Sequence, residues 1–269
     1  MRKSRRNGIA SITAILAATL LSGVPGASQA RAQETVLRGA RLIDGTGRPA
    51  IEDAVIVIEG GRIREVGSAD SVAVPRGAKS LNLRGKTVMP LLINLHGHLG
   101  LTRNGIQVNS QSYTEENIRS QLEKYLAYGV GTVVSLGLDQ DLIYKLRQGQ
   151  RAGSFPGAQI FTAGRGLGVP SGHPPTLPGA EDVYRPQTPE EARAQVREVA
   201  GHHPDFVKIW VDDDFGRLPK MKPEIYRAII DEAHRHHLRV VAHVFYLADA
   251  KALAKPASTG SDTASATRP

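Results

Sequence analysis

Between Thr35 and about Leu83 the apolar residues come in short runs and alternations of period two, the spacing of half-buried strands. Ala54–Glu59 reads as an apolar strand, Gly60-Gly61 as a two-residue turn and Arg62–Val66 as its alternating partner, a hairpin signature. Val36–Ile43 and Ser80–Leu83 read as flanking strands, so residues 33–86 are expected to form a small β module of sandwich type. After Gly85 the rhythm changes. Val88–Leu95, Gly131–Leu136, Ala158–Ala163, Phe206–Val211 and Arg239–Val244 are apolar runs of strand length. Between them lie segments of helical period: one after Thr114 with Ile118, Leu122, Tyr125 and Leu126 on a common face, then Asp139–Arg151, then one opening on Thr188-Pro189 with Glu191 at capping-box spacing, then Pro223–His237. Leu247–Ala254 begins a further helix. Strands alternating with helices predict an α/β fold with a parallel sheet of about five βα units over residues 87–254. Periodicity alone leaves an open sheet and part of a (β/α)8 barrel as alternatives. Residues 255–269 have no apolar rhythm and read as a disordered tail.

Composition alters this picture mainly at the amino end. Arg2, Lys3, Arg5 and Arg6 precede an apolar run from about Ile9 to Leu21 and an Ala30-Arg31-Ala32 exit, the three parts of a secretory signal peptide over residues 1–32. The run is too short to span a bilayer, so no stable membrane anchor is expected, and the product is expected to be periplasmic or secreted. The formal net charge of +8 resides largely there: without the five Lys and Arg of residues 1–32, 29 bases face 26 acids. A charge of about +3 is no polybasic field, and nucleic-acid binding is not expected. With no cysteine in the chain, any metal must sit on histidine, carboxylate or a modified side chain.

Candidate chemistry starts at Pro90-Leu91-Leu92-Ile93-Asn94-Leu95-His96-Gly97-His98. Histidines two apart in an extended chain point to one side and can share a metal ion, although two unrelated loop histidines would read the same way. Lys208, in Phe206-Val207-Lys208-Ile209-Trp210, stands within an apolar strand, where an unpaired ammonium is costly; a lysine reaching solvent from the strand's end is the alternative. His243 ends the strand Val240-Val241-Ala242-His243-Val244. His173 lies in a glycine- and proline-rich loop after the third strand and is a candidate substrate contact. Asp212, Asp213 and Asp214 follow the lysine strand as an acidic turn, read as solvated or as a contact for a substrate amine.

Taken together, the β module with Asp44-Gly45-Thr46-Gly47 and Gly60-Gly61-Arg62-Ile63, the lead-in Gly85-Lys86-Thr87-Val88-Met89-Pro90 and the His96-Gly97-His98 pair resemble the amidohydrolase superfamily. The resemblance is to its imidazolonepropionase-like and Xaa-Pro dipeptidase (prolidase-like) branch, and it covers about residues 35–253. It implies a partial (β/α)8 barrel behind the β module. It also implies one or two zinc ions held by His96, His98, a carbamylated Lys208 and His243, and hydrolysis of amide bonds in small substrates such as dipeptides or N-acyl amino acids by metal-activated water.

The chain departs from that pattern in places. Asn94 stands where the family has aspartate and Leu91 where it has glycine. The family's strand-six histidine and strand-eight aspartate, its general base, have no counterpart before the sequence turns to Lys255-Pro256-Ala257-Ser258. The expectation is a C-terminally truncated member with no identifiable catalytic base and a sheet whose open edges favour self-association. The alternative is an impaired remnant or a non-enzymatic binding protein of the same fold.

Overall fold

A computed structural model describes residues 34–103, 105, 110–176 and 180–255, and the backbone of 265–267. The signal-peptide reading lies outside the described residues. Among those residues no helix is long and apolar enough to cross a membrane. The chain divides into two compact units that part between Met89 and Pro90.

The first unit is one five-stranded sheet built from β1 (Thr35–Leu42), β2 (Ile51–Glu59), β3 (Arg62–Ser68), β4 (Lys79–Asn82) and β5 (Thr87–Val88). β1, β2 and β3 are antiparallel neighbours, whereas β4 and β5 both run parallel to β1. Gly60 and Gly61 have φ of 57° and 76°, which a two-residue turn matching the strand twist requires and which L side chains resist. Four successive residues of β2, Ala54–Val57, are buried because apolar clusters lie on both faces of the sheet. Val55 and Val57 pack with Val36 and Val72, while Ala54 and Ile56 pack with Leu42.

The second unit alternates strand and helix: β6 (Leu92–Gly97), α1 (Glu115–Ala127), β7 (Val130–Ser135), α2 (Leu142–Arg151), β8 (Gln159–Thr162), α3 (Pro189–Gly201), β9 (Val207–Val211), α4 (Pro223–Arg235), β10 (Val240–Val244), α5 (Leu247–Leu253) and β11 (Ser265–Thr267). Thr114 and Thr188 cap α1 and α3 by accepting from the amides of Asn117 and Glu191, as their sequence contexts predict. β6, β7 and β8 form one parallel ladder and β9, β10 and β11 another. The two are stitched together by Asp205 N to Thr162 O (2.8 Å), Leu167 N to Lys208 O (2.8 Å) and Trp210 N to Leu167 O (3.1 Å). Parallel strands thus follow one another in chain order. Part of the predicted tail is corrected here: Ser265–Thr267 pairs with β10, because backbone pairing needs no apolar rhythm, while 256–264 and 268–269 lie outside the described residues.

Alternation along the strands sorts side chains onto two faces. Val207, Ile209 and Val211 of β9 join Ala192, Val196, Ile225 and Ile229 of α3 and α4. Val133 and Ile160 join Ile118, Leu122, Ile143 and Leu146 of α1 and α2. The residues one step out of phase form another cluster of Val134, Leu136, Ala163 and Val241, with Phe161 and Phe206 against it. Lys208 and Trp210 are in this second phase.

Buried polar groups tie these layers. The Arg147 guanidinium of α2 donates to Asp205 (2.6 Å) and to the His203 carbonyl (2.7 Å), joining the helix to the turn before β9. Asp139 is not the helix start that its sequence suggests, since α2 begins three residues later. Its carboxylate is buried and accepts from the hydroxyls of Tyr113 (3.0 Å), Ser135 (2.7 Å) and Thr162 (2.6 Å), and Ser135 Oγ in turn accepts from the Leu99 amide (3.1 Å). Burial pushes the Asp139 carboxyl up to about 6 despite those three donors. Because its folded-state pKa is raised, Asp139 holds a proton better in the folded than in the unfolded chain. Its contribution to stability therefore declines as pH rises from about 4 to about 6. Asp139→Ala is expected to lower stability by about 2 kcal/mol or more at neutral pH, by orphaning three hydroxyls, and to remove that part of the pH slope; urea melts of both proteins at pH 4, 5, 6 and 7 check it.

Candidate metal centre

β6 carries the first two candidate ligands. Its ladder with β7 is irregular between Asn94 and Gly97, so the chain bends where His96 sits. The Asn94 side chain organises the bend: its Oδ1 accepts from the His96 amide (3.0 Å) and its Nδ2 donates to the Tyr125 hydroxyl (3.2 Å). An amide does this without the charge of an aspartate. Beyond His98, the chain is pinned by the Leu99–Ser135–Asp139 relay. The rings of His96 and His98 meet edge to face with centroids 5.3 Å apart. Solvent still reaches the His98 ring, yet protein surrounds it on most sides, as in a concave recess. Desolvation, then His96, Lys208 and His243, push the His98 pKa down to about 4. Desolvation, then Lys208 and His243, lower that of His96. Both rings are therefore neutral near pH 7, the form that binds a cation.

Lys208 is the second residue of β9 and is fully buried. Among the described residues its Nζ has no hydrogen-bond partner, and it stands 5.3 Å from the centre of the Trp210 ring. The side chain passes over Gly137 (φ +87°), where a Cβ would lie 2.5 Å from Lys208 Cγ and 2.7 Å from Trp210 Cη2; only glycine leaves this path open. The expectation of a lysine reaching solvent is thereby excluded. Burial lowers its pKa to about 8.

His243 is the penultimate residue of β10 and Asp212 follows β9. Their side chains meet at 2.9 Å, Nε2 to Oδ2, and the His173 ring stacks on His243 with centroids 4.7 Å apart. Ligand atoms of His173, Asp212 and His243 all lie within 4.8 Å of one another, a possible His/Asp metal site. The expectation of a solvated acidic turn is corrected for Asp212, which is only 8% exposed. Burial pushes its carboxyl up, but the Asp214 amide and the His243 ring together pull it below the ordinary range. Sequence reading missed this role; the available signal was a carboxylate directly following a buried strand.

The sequence-predicted residues His96, His98, Lys208 and His243 are thus electrostatically coupled, and His173 joins them through His243. An unpartnered buried amine, neutral imidazoles and one carboxylate, with no thiolate, suit a borderline or hard divalent ion held by nitrogen and oxygen.

No sequence-family profile matches the chain. Among curated proteins, 71 residues are 31% identical to a 5-methylthioadenosine/S-adenosylhomocysteine deaminase of Symbiobacterium thermophilum, covering 26% of this chain and 16% of that protein. Among solved structures, a proposed prolidase from Bifidobacterium longum matches 82% of this chain and 52% of its own, with 27% identity and a TM-score of 0.68. A prolidase complexed with N-methylphosphonate-L-proline matches 82% of this chain and 58% of its own, with 25% identity and a TM-score of 0.67. The chain therefore spans little more than half the length of these structures. In fold and over four fifths of its length, the chain is similar to solved structures of prolidases.

Proposed function

We propose that the chain is a metal-dependent hydrolase of amide bonds, acting on dipeptides or N-acyl amino acids, with zinc held by His96, His98, Lys208 and His243. The observation that carries this reading is Lys208: a fully buried amine without a hydrogen-bond partner among the described residues, whose charge bears on His96 and His98. With its pKa lowered to about 8, a useful share of the amine is unprotonated near neutral pH. Such an amine attacks the carbon of dissolved CO2, forms a C–N bond and gives up a proton, leaving a carbamate. The exchange turns a buried cation into an anion that divalent cations neutralise. Bound divalent cations supply polarisation of the scissile carbonyl and a water acidified towards pKa ~7. His96 and His98 hold neutral imidazoles towards the ion, and Asn94 and the Asp139 relay keep their backbone in place. The preference for peptide-like substrates rests on the likeness to prolidases, one of them complexed with a proline derivative.

Metal uptake tests the reading directly. Metal-free chain titrated with Zn2+ is expected to bind it more tightly with bicarbonate present. Lys208→Ala should lower the affinity by roughly 10-fold or more and abolish the bicarbonate effect; equal affinity for both proteins would overturn the assignment. Uptake without hydrolysis of Xaa-Pro dipeptides would favour the binding-protein alternative.

We also infer self-association through β6. Among the described residues β6 pairs only with β7, and Ile93 and Leu95 are 61% and 62% exposed. Sedimentation is expected to show a concentration-dependent oligomer that Ile93→Lys weakens; a monomer at all concentrations would refute it.

A further inference from the structure

We propose that His173, Asp212 and His243 hold a divalent cation of their own, so that a loop histidine and a turn aspartate complete a second metal position beside the one at His96, His98 and Lys208. The inference rests on the metal-hydrolase reading only in sharing His243, and it assigns ligands outside the motifs that support that reading.

The spacing fits. Ligands about 2.1 Å from one ion lie about 3.0 Å apart at a right angle and about 3.4 Å apart at a tetrahedral angle. His243 Nε2 and Asp212 Oδ2 are 2.9 Å apart, and the ligand atoms of all three residues fall within 4.8 Å. Two imidazoles and one carboxylate are an ordinary donor set for such an ion.

An unsatisfied group supports it. His173 Nδ1 is buried and has no hydrogen-bond partner among the described residues, a condition that calls for an explanation in a folded protein. Nor is the loop that carries it loosely held. The Arg185 guanidinium donates to the carbonyls of Val169 (2.8 Å), Gly172 (3.3 Å) and Pro174 (2.8 Å), clamping the backbone on either side of His173. A cation with five donors is thus spent on fixing one turn.

Asp212 is equally fixed. Its Oδ1 accepts from the Asp214 amide (3.0 Å), leaving Oδ2 for His243. The turn that achieves this holds two successive non-glycine residues, Asp214 and Phe215, at φ of 48° and 58°, a strained backbone of the kind that persists at binding sites. In the competing arrangement Asp212 merely orients His243 and His173 touches no ion. His173 therefore discriminates between the two.

The test counts ions. Chain dialysed against Zn2+ and analysed for metal, with calorimetric titration in parallel, is expected to hold two ions per chain. His173→Gln and Asp212→Asn should each hold one, with the lost position weakened 100-fold or more, while Lys208→Ala loses the other. The visible spectrum of Co2+-loaded protein should change in His173→Gln, and circular dichroism confirms folding of each variant. Two ions at unaltered affinity in His173→Gln, with Lys208→Ala losing one, would overturn this inference and leave the hydrolase reading standing. A wild-type chain that holds only the His173-dependent ion would overturn the Lys208 assignment and leave this one.

Discussion

A lysine amine sits in the interior of the second unit with no hydrogen-bond partner among the described residues, and that arrangement constrains everything around it. An isolated ammonium in such a place costs several kcal/mol, so the fold is consistent only with an amine that is readily discharged or chemically altered. Each neighbour fits that demand. Gly137 leaves the channel through which the stem passes, Trp210 offers an aromatic face, and the histidines nearby are held neutral by desolvation. A carbamate at Lys208, neutralised by divalent cations, would remove the electrostatic penalty and give the cluster its function together.

The frame that places Lys208 follows from strand alternation. Odd-numbered residues of β9 face α3 and α4, which forces Lys208 and Trp210 onto the opposite phase. The same alternation brings residues of β7, β8 and β10 into one cluster on that side. Chain-order stacking of parallel strands then gathers β6, β9 and β10 with the segments that follow β6, β8 and β9, and these carry every candidate ligand. Polar ties to the backbone beside the ligands hold the segments still. Asp139 fixes the chain beyond His98, Arg147 fixes the turn into β9, and Arg185 fixes the loop of His173.

Local rules made much of this legible beforehand. Thr114 and Thr188 announce their helices because a cap and its first turn are written in adjacent residues. His96 and His98 announce themselves through the period of two, and Lys208 by being out of place in an apolar run. What stayed hidden depends on contacts between distant segments. Asp139 looks like the start of a helix until Tyr113, Ser135 and Thr162 converge on it, and Asp212 looks like part of a wet acidic turn until His243 and the Asp214 amide surround it. His173 becomes interpretable only once Arg185 has fixed its loop and its ring is seen stacked on His243. Ser265–Thr267 joins the sheet through backbone pairing, which leaves no mark in side-chain pattern.

Carbon-13 resonance of the zinc-loaded protein equilibrated with labelled bicarbonate reads the chemical state of Lys208 itself. A protein-bound carbamate signal is expected, present in the wild-type chain and missing from Lys208→Ala. A spectrum showing only free bicarbonate and dissolved CO2 in the zinc-loaded wild type would contradict it.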